Sequence, residues 1–545
     1  MKEEIEFEYF LNLVSSFLLD RHFYNSFYMK RKLYIALFLI SGNTLFAQLP
    51  EDALRMSWTN PSGTARQQAI GGAMASLGGE ITATFVNPAG LGLYKTSEFV
   101  LTPGFSFYNS KGSYRGTDVK ADKLNKFNFG TSGFVFGFSN KYSRWKSSAV
   151  SFAVNRTANF NSNTHYKGQN DYSSFSEQYV LDFARSGLSL SNDEWKNSSL
   201  ISLPTKMAIY EYLIDTMNLN GGEVTIYGQG EKAALLNQEQ MIKTKGGVTE
   251  IAFGYAANMD DKLYFGFGIG VPILDYTRTS YFKENDATGN TDNDYDFASY
   301  EETLTQKGVG VNGKFGMIVK PSEKIRLGLS FHTPTLYGLT ENTTAGKMVT
   351  NLENYATKYG LPPGADSVSM NTFGVPETKF DFVSPWKIII SGSYVINEVE
   401  DVKKQKGFIT ADIEYVTTQS GKFSASDEAQ GSDGYYKDVN EATKAVYKNT
   451  FNFRVGGELK FHTIMTRLGF AYFMNPYEEE SLKANRMNIS GGLGYRNKGI
   501  FLDLTYVHNL TKNINFPYRL SDKANTYANI KDNAGNVLLT FGVKF

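Results

Sequence analysis

The chain of 545 residues contains no cysteine. That removes disulfides, thiol nucleophiles and thiolate-bound zinc or iron–sulfur centres. Histidine is almost as scarce: His22, His165, His332, His462 and His508 are the only five, and no two lie close enough in sequence to suggest paired metal ligands. Fifty-five Lys and Arg balance 55 Asp and Glu, so the positive excess of a nucleic-acid binder is missing. No apolar run reaches about 18 residues, and the mean hydropathy is −0.32, which excludes helical membrane spans. No nucleophile–base arrangement, Walker motif or dinucleotide fingerprint is present. The run Gly266-Phe267-Gly268-Ile269-Gly270 puts its glycines on one strand face rather than in a phosphate-cradling turn. Neither enzymatic activity nor a cofactor is expected.

Glycine and aromatics are what the chain has in plenty: 51 Gly, 41 Phe and 34 Tyr. This is too rich for an ordinary soluble enzyme. It suits a membrane β-barrel, whose strands hide their hydrophobicity by alternating it with polar residues.

The first residues concern targeting. Met29-Lys30-Arg31-Lys32, the apolar stretch Leu33 to Ile40, and a small residue before the junction Ala47/Gln48 make a signal peptide over 29–47. Its apolar stretch is too short to cross a bilayer. Residues 1–28, acidic at Glu3, Glu4, Glu6 and Glu8, read as an upstream extension. From 48 to 97, small residues crowd together in Gly63-Thr64-Ala65, Gly71-Gly72-Ala73-Met74-Ala75 and Leu77-Gly78-Gly79. This composition predicts short helices and tight turns in a confined space.

From Glu98 onward the period becomes two. Phe451, Phe453, Val455, Leu459 and Phe461 share one face, with Arg454, Gly456, Glu458 and Lys460 on the other. Leu263, Phe265, Phe267, Ile269 and Val271 oppose Tyr264 and three glycines. Fourteen strands are expected, near 98–109, 126–138, 145–160, 247–259, 262–277, 303–319, 325–337, 378–396, 407–418, 446–461, 464–474, 485–496, 499–509 and 534–545. Short turns such as Asp260-Asp261 and Asn497-Lys498 alternate with long polar links, the longest over 161–246. An even count puts the C-terminus on the short-turn, periplasmic side. The last strand closes on Phe545, as a substrate of the outer-membrane barrel assembly machinery would. Strand two changes phase between Phe127/Phe129 and Phe134/Phe136/Phe138, with Gly130 and Gly133 between, which predicts a bulge. Strand three breaks its alternation at Asn155-Arg156.

A signal peptide, a Gly/Ala-rich segment ending in Asn87-Pro88-Ala89-Gly90-Leu91, and fourteen strands resemble the FadL/TodX family of outer-membrane transporters for hydrophobic compounds. The resemblance implies an all-β, 14-stranded antiparallel transmembrane barrel over 98–545, with 48–97 as a helical hatch plugging the lumen. It implies a helix from Ala65 to Leu77. Asn87, Pro88, Ala89 and Gly90 become the hatch and gate motif. It also implies passive uptake of hydrophobic molecules such as long-chain fatty acids, with lateral exit through a wall opening at a kinked third strand. Some proteins of this kind carry a haemin-receptor label; a general diffusion porin is the other alternative. Outer-membrane lipid surrounds such a barrel, and a monomer is expected.

In link 161–246, Tyr179, Phe183, Tyr210, Tyr212 and Leu213 are candidates for ligand capture, or for the buried faces of loop helices. Polar residues on the inner face include Arg454, Glu458 and Asp503. They are expected to pair across the lumen and with the hatch, although an arginine such as Arg454 could hold a ligand carboxylate.

Overall fold

Period-two alternation against a bilayer leaves the backbone one solution: every N–H and C=O must be paired along ladders, and the sheet must close so that no edge faces lipid. The computed structural model does this. It describes residues 50–57, 62–140, 142–190, 193–218, 224–360, 365–374, 377–396, 406–426 and 433–545; the expected signal peptide and upstream extension lie outside them.

Fourteen antiparallel strands form the wall. They are β1 (Glu98–Leu101, continued by Pro103–Tyr114), β2 (Leu124–Phe129 and Ser132–Ser139), β3 (Trp145–Asn159 and Ser162–Asn170), β4 (Leu236–Met259) and β5 (Leu263–Asp286). Next come β6 (Phe297–Val319), β7 (Ile325–His332 and Leu336–Asn351), β8 (Glu377–Val383 and Lys387–Ile396), β9 (Gly407–Val416 and Lys422–Ala425) and β10 (Thr450–Phe461). The set ends with β11 (Ile464–Phe473), β12 (Arg486–Asn497), β13 (Ile500–Asn515) and β14 (Ala528–Lys544). β14 returns to β1 and closes the barrel, with Glu98 opposite Lys544 and Gly104 opposite Leu538. Lys544 Nζ and Glu98 Oε2 lie 3.2 Å apart at this seam. Beyond it Ser97 and Phe545 exchange two backbone hydrogen bonds of 3.0 Å.

The outward faces carry the apolar side chains, for example Phe253, Phe267, Phe315, Leu327, Ile390, Ile409, Phe453 and Leu493. The inward faces carry polar residues and glycine. At the short-turn end, Asp260 and Asp261 both sit at φ 56°, and Lys498 and Gly499 at 47° and 86°. These left-handed pairs suit the right-handed strand twist.

The expected strands are present, but several run far beyond their expected ends. β4 and β5 are each 24 residues long, more than twice what a tilted strand needs to cross a bilayer. The segments 162–170, 236–246 and 338–351, expected as loop, are strand. Above the membrane neither face is greasy, so alternation vanishes although the ladders continue.

These extensions carry a roof. Helices α4 (Glu177–Ser186) and α5 (Leu203–Tyr210) fold over the mouth. There Phe175, Tyr179, Phe183, Met207 and Leu213 share one buried cluster with Phe282 and Tyr295 of the β5–β6 region, Met348 of β7, and Tyr518 of the last loop.

Candidate functional site

Residues 50–57 and 62–97 lie within the barrel. Helix α1 (Pro50–Ser57) is amphipathic, with Ala53 and Met56 against Tyr276, Tyr337 and Phe382. Helix α2 spans Ala65–Ala69 and starts at Thr64, whose side chain accepts from Gln67 N. The helix does not continue to Leu77 as expected, because Gly71 and Gly72 sit at φ 67° and 81° and turn the chain. A short helix, α3 (Ala83–Val86), leads into the Asn-Pro-Ala motif.

That motif is a cap and an anchor. Asn87 Oδ1 accepts from Ala89 N at 3.1 Å, capping a 3₁₀ turn (Pro88–Leu93) whose first position is Pro88. Asn87 Nδ2 donates to Ala75 O at 2.6 Å, and approaches the carbonyls of Met317 (β6) and Leu329 (β7) at 3.3 Å each. One side chain thus joins two parts of the plug to two wall strands. Gly90 packs on Gly78, where a Cβ would come within 2.8 Å of the Gly78 backbone.

The plug is tied around the circumference. Ala65 N donates to Thr540 Oγ1 of β14 at 2.7 Å, and Thr505 Oγ1 of β13 donates to Ala65 O at 2.6 Å. Met74 N reaches Asp412 Oδ2 of β9 at 3.0 Å, Arg326 Nη1 of β7 reaches Leu77 O at 2.7 Å, and Ser147 Oγ of β3 reaches Gly92 O at 2.7 Å. The lumen glycines are where plug backbone touches the wall. A Cβ on Gly266 would run into Pro88 and Ala89, one on Gly316 into Asn87, and one on Gly469 into Ile70 and Gly71.

The inner-face charges pair as the sequence suggested. Arg467 donates to Glu458 and to Asp503, each at 2.6 Å, and Arg66 of the plug donates to Glu458 at 3.1 Å. Arg454 donates to Glu414 at 2.8 Å. Arg454, Glu458 and Asp503 are therefore placed in buried ion pairs. Arg66, the cation that links this network to the plug, was not singled out from sequence, since nothing in its neighbourhood marks a partner 392 residues away.

Of the capture candidates, Tyr179, Phe183 and Leu213 are buried in the roof cluster. Tyr210 and Tyr212 are exposed, at 47% and 42%, beside Phe373 and Tyr355 respectively. Glu211 between them is buried, and that burial, reinforced by Asp366, pushes its carboxyl up to about 7.

The wall itself is interrupted. The lower half of β2 pairs with β3 from Ser132↔Val154 to Ser139↔Ser147. Among the described residues, its upper half, Leu124–Phe129, is laddered to β1 alone. The change comes at Gly130 and Thr131, where the phenylalanines switch phase, and Gly130 rests on the carbonyl of Gly63. The upper half of β3 stays with β4, past a register shift beside Arg156. It crosses behind β1, so that Gly112, on the inner face of β1, packs on His165 and Tyr166. Among the described residues, no ladder joins 127–130 of β2 to 156–163 of β3. Asn159 Nδ2 of β3 donates to Tyr108 Oη of β1 at 2.5 Å, and Asn163 Nδ2 donates to Asp122 O at 3.0 Å. Beside this break in the ladder lies a cavity of about 340 Å³ lined by Asn128, Phe129, Arg156 and Phe160 among others. A second, of about 150 Å³, shares Ser62 and Arg486 with the first.

A closed fourteen-stranded barrel with an apolar outer belt and a plugged lumen is a bacterial outer-membrane protein. Its fold is that of the FadL homologue from Pseudomonas aeruginosa: 12% identity, 90% of this chain and 100% of that one, TM-score 0.51. The toluene transporters TodX of Pseudomonas putida (11%, 90% and 100%, 0.48) and TbuX of Ralstonia pickettii (13%, 89% and 99%, 0.46) also align along nearly their whole lengths. No protein-family model matches the sequence, and no curated protein does.

Proposed function

We propose that the protein is a passive channel for uptake of hydrophobic molecules, such as long-chain fatty acids, with capture at the outer loops and sideways exit between β2 and β3. The observation that carries this reading is the combination of a lumen occupied by the plug and a break in the β2–β3 ladder beside a cavity. With the axis obstructed, the break is the short way out, and it leads into lipid. A hydrophobic passenger gains about 0.8 kcal/mol for each methylene that leaves water, so no energy source is needed. In this reading Asn87, Pro88, Ala89 and Gly90 hold the plug, and plug movement gates the path. The exposed Tyr210 and Tyr212 are the capture residues that a ligand can reach, with Tyr179, Phe183 and Leu213 supporting them from beneath. Recognition of Phe545 by the barrel assembly machinery and a monomer in lipid belong to the same proposal.

The test is uptake of a radiolabelled long-chain fatty acid into proteoliposomes by the wild type and by Asn159→Trp, which fills the cavity beside the break. A fall of about tenfold or more is expected, and unchanged uptake contradicts the sideways route. A general diffusion porin predicts a large open-channel conductance in planar bilayers; the plugged lumen supports a small one. The haemin alternative draws little from His462, in the β10–β11 turn, or from His508, beside Tyr506 on the outer face.

A further inference from the structure

One row of side chains on the outer wall breaks the ordinary rule of a sheet. Residues directly opposed on neighbouring strands share a face, with Cβ atoms about 5 Å apart, and like charges there repel. Yet lysines oppose one another across four neighbouring segments. Lys120, in the stretch Thr117–Lys120 that precedes β2, stands opposite Lys111 of β1. Lys111 is opposite Lys531 of β14, and Lys531 is opposite Lys512 of β13. The row faces outward, because the positions on either side of it face in. Ser110 and Asp532 line the cavity against the plug, and Gly112 and Ile530 pack on Tyr166.

Lys483, from the link between β11 and β12, completes a surface pocket of about 270 Å³ with Lys111, Lys512 and Lys531. Asp118 is the one carboxylate in its lining, and it is paired with Lys111 at 2.6 Å. Among the described residues Lys120, Lys483, Lys512 and Lys531 form no ion pair. The pocket therefore carries a net +3, four lysines against one aspartate. Height decides what meets it. From Ile500 to Lys512, β13 advances twelve residues. At about 3.3 Å per residue and a tilt of about 40°, Lys512 stands about 30 Å from the short-turn end, just past an apolar band of about 25 Å. Leu504 and Tyr506 of β13, Phe105 and Phe107 of β1 and Phe127 of β2 make up that band below the row, all exposed. The lysines thus lie at the depth of lipid head groups on the long-loop side.

We propose that this row is a binding site for a phosphorylated glycolipid of the outer leaflet, with its phosphate groups on Lys111, Lys512 and Lys531 and its acyl chains on the apolar band below. A single carboxylate would neutralise one ammonium group and leave the others in mutual repulsion. A phosphate monoester brings up to two charges and three acceptor oxygens, and so bridges adjacent lysines. Three strand spacings make the row about 14 Å long, so a head with more than one phosphate engages it along its length. The assignment depends on the outer-membrane location and not on the uptake reading.

The test uses the full-length protein in micelles of an uncharged detergent, with empty micelles as the reference for partitioning. It is titrated with diphosphoryl lipid A, with the same lipid stripped of both phosphates, and with inorganic phosphate. Diphosphoryl lipid A is expected to bind at least about tenfold more tightly than either of the others, and Lys111→Gln/Lys512→Gln/Lys531→Gln to lose that margin. Lys262→Gln/Lys324→Gln/Lys498→Gln removes the same charge from exposed positions at the short-turn end and is expected to keep it. Heat-modifiable migration on gels verifies that each variant is a folded barrel. If the triple variant of the row does not assemble, Lys531→Gln alone, at its centre, is expected to weaken lipid A binding about threefold. Equal binding of the dephosphorylated lipid overturns the site, as does an affinity indifferent to the row substitutions or equally reduced by those at the short-turn end. Inorganic phosphate bound as tightly as lipid A rejects the lipid as the occupant.

Discussion

Arg66 of the plug and Glu458 of β10 are joined by an Nε–Oε2 hydrogen bond of 3.1 Å, at a point where Glu458 also receives Arg467 at 2.6 Å. Arg467 is fully buried and spans to Asp503, so a single wall carboxylate serves both the barrel's own network and the plug. Glu458→Ala leaves two buried guanidinium groups short of their acceptor. The expected cost is about 3–5 kcal/mol, read as a lower temperature for the heat-modifiable gel shift. Because Arg66 loses its wall partner, the plug should also loosen, and single-channel conductance should rise. Glu458→Gln, which keeps an acceptor oxygen, should fall between the two.

The lumen glycines make a prediction that depends on which way each one faces. Gly469 is covered by Ile70 and Gly71, whereas a Cβ on Gly491 would meet nothing nearer than Leu468 Cδ2 at 3.5 Å. Gly469→Ala forces the plug off the wall and should cost about 1–3 kcal/mol. Gly491→Ala should change stability by less than about 0.5 kcal/mol. Limited trypsinolysis at Arg66 in detergent-solubilised protein distinguishes them: rapid cleavage is expected only for Gly469→Ala.

Much of this architecture was legible in the sequence because the bilayer makes each strand declare its faces. Phe451, Phe453 and Val455 point outward as their spacing requires, and the even count of strands follows from the same rule. Legibility ended where the membrane ends. The segments 236–246 and 338–351 continue their ladders with polar residues on both faces, so no period survives to be read. The Gly130/Gly133 phase change and the break at Asn155-Arg156 flank the interruption of the β2–β3 ladder, but sequence could not show that β3 crosses behind β1, a relation between segments about fifty residues apart. Likewise Lys111, Lys512 and Lys531 become neighbours only through the register of three strands.

The roof should respond to pH through Glu211. Burial raises its carboxyl from the ordinary 4.5 to about 7. The folded roof therefore holds this proton more tightly than the unfolded chain does, and stability is greatest with the proton on. It should fall as pH rises from about 4.5 through 7 and level off above, where the carboxylate is charged in both states. The protection of segment 203–214 from hydrogen exchange, corrected for the intrinsic base-catalysed rate at each pH, is expected to be lower at pH 8 than at pH 5. Glu211→Gln should abolish that difference; a difference that persists in the variant would assign it to another group.

Phe183 and Tyr210 separate support from capture. Phe183 is fully buried in the roof cluster, so Phe183→Ala opens a cavity among Phe175, Tyr179 and their neighbours and should cost the roof about 3–5 kcal/mol. Uptake should then change through an altered mouth, together with faster hydrogen exchange in 177–186. Tyr210 is exposed, meets Phe373 edge to face at 5.8 Å, and supports little packing. Tyr210→Ala should leave roof exchange unchanged. If the outer loops capture the passenger, the variant should raise the concentration for half-maximal uptake severalfold, since an aromatic contact contributes about 0.5–1.5 kcal/mol. Uptake kinetics in proteoliposomes, measured at several passenger concentrations, give that value directly. An unchanged half-saturation in Tyr210→Ala and in Tyr212→Ala alike would remove these residues from the capture step and direct attention to the mouth beneath the roof.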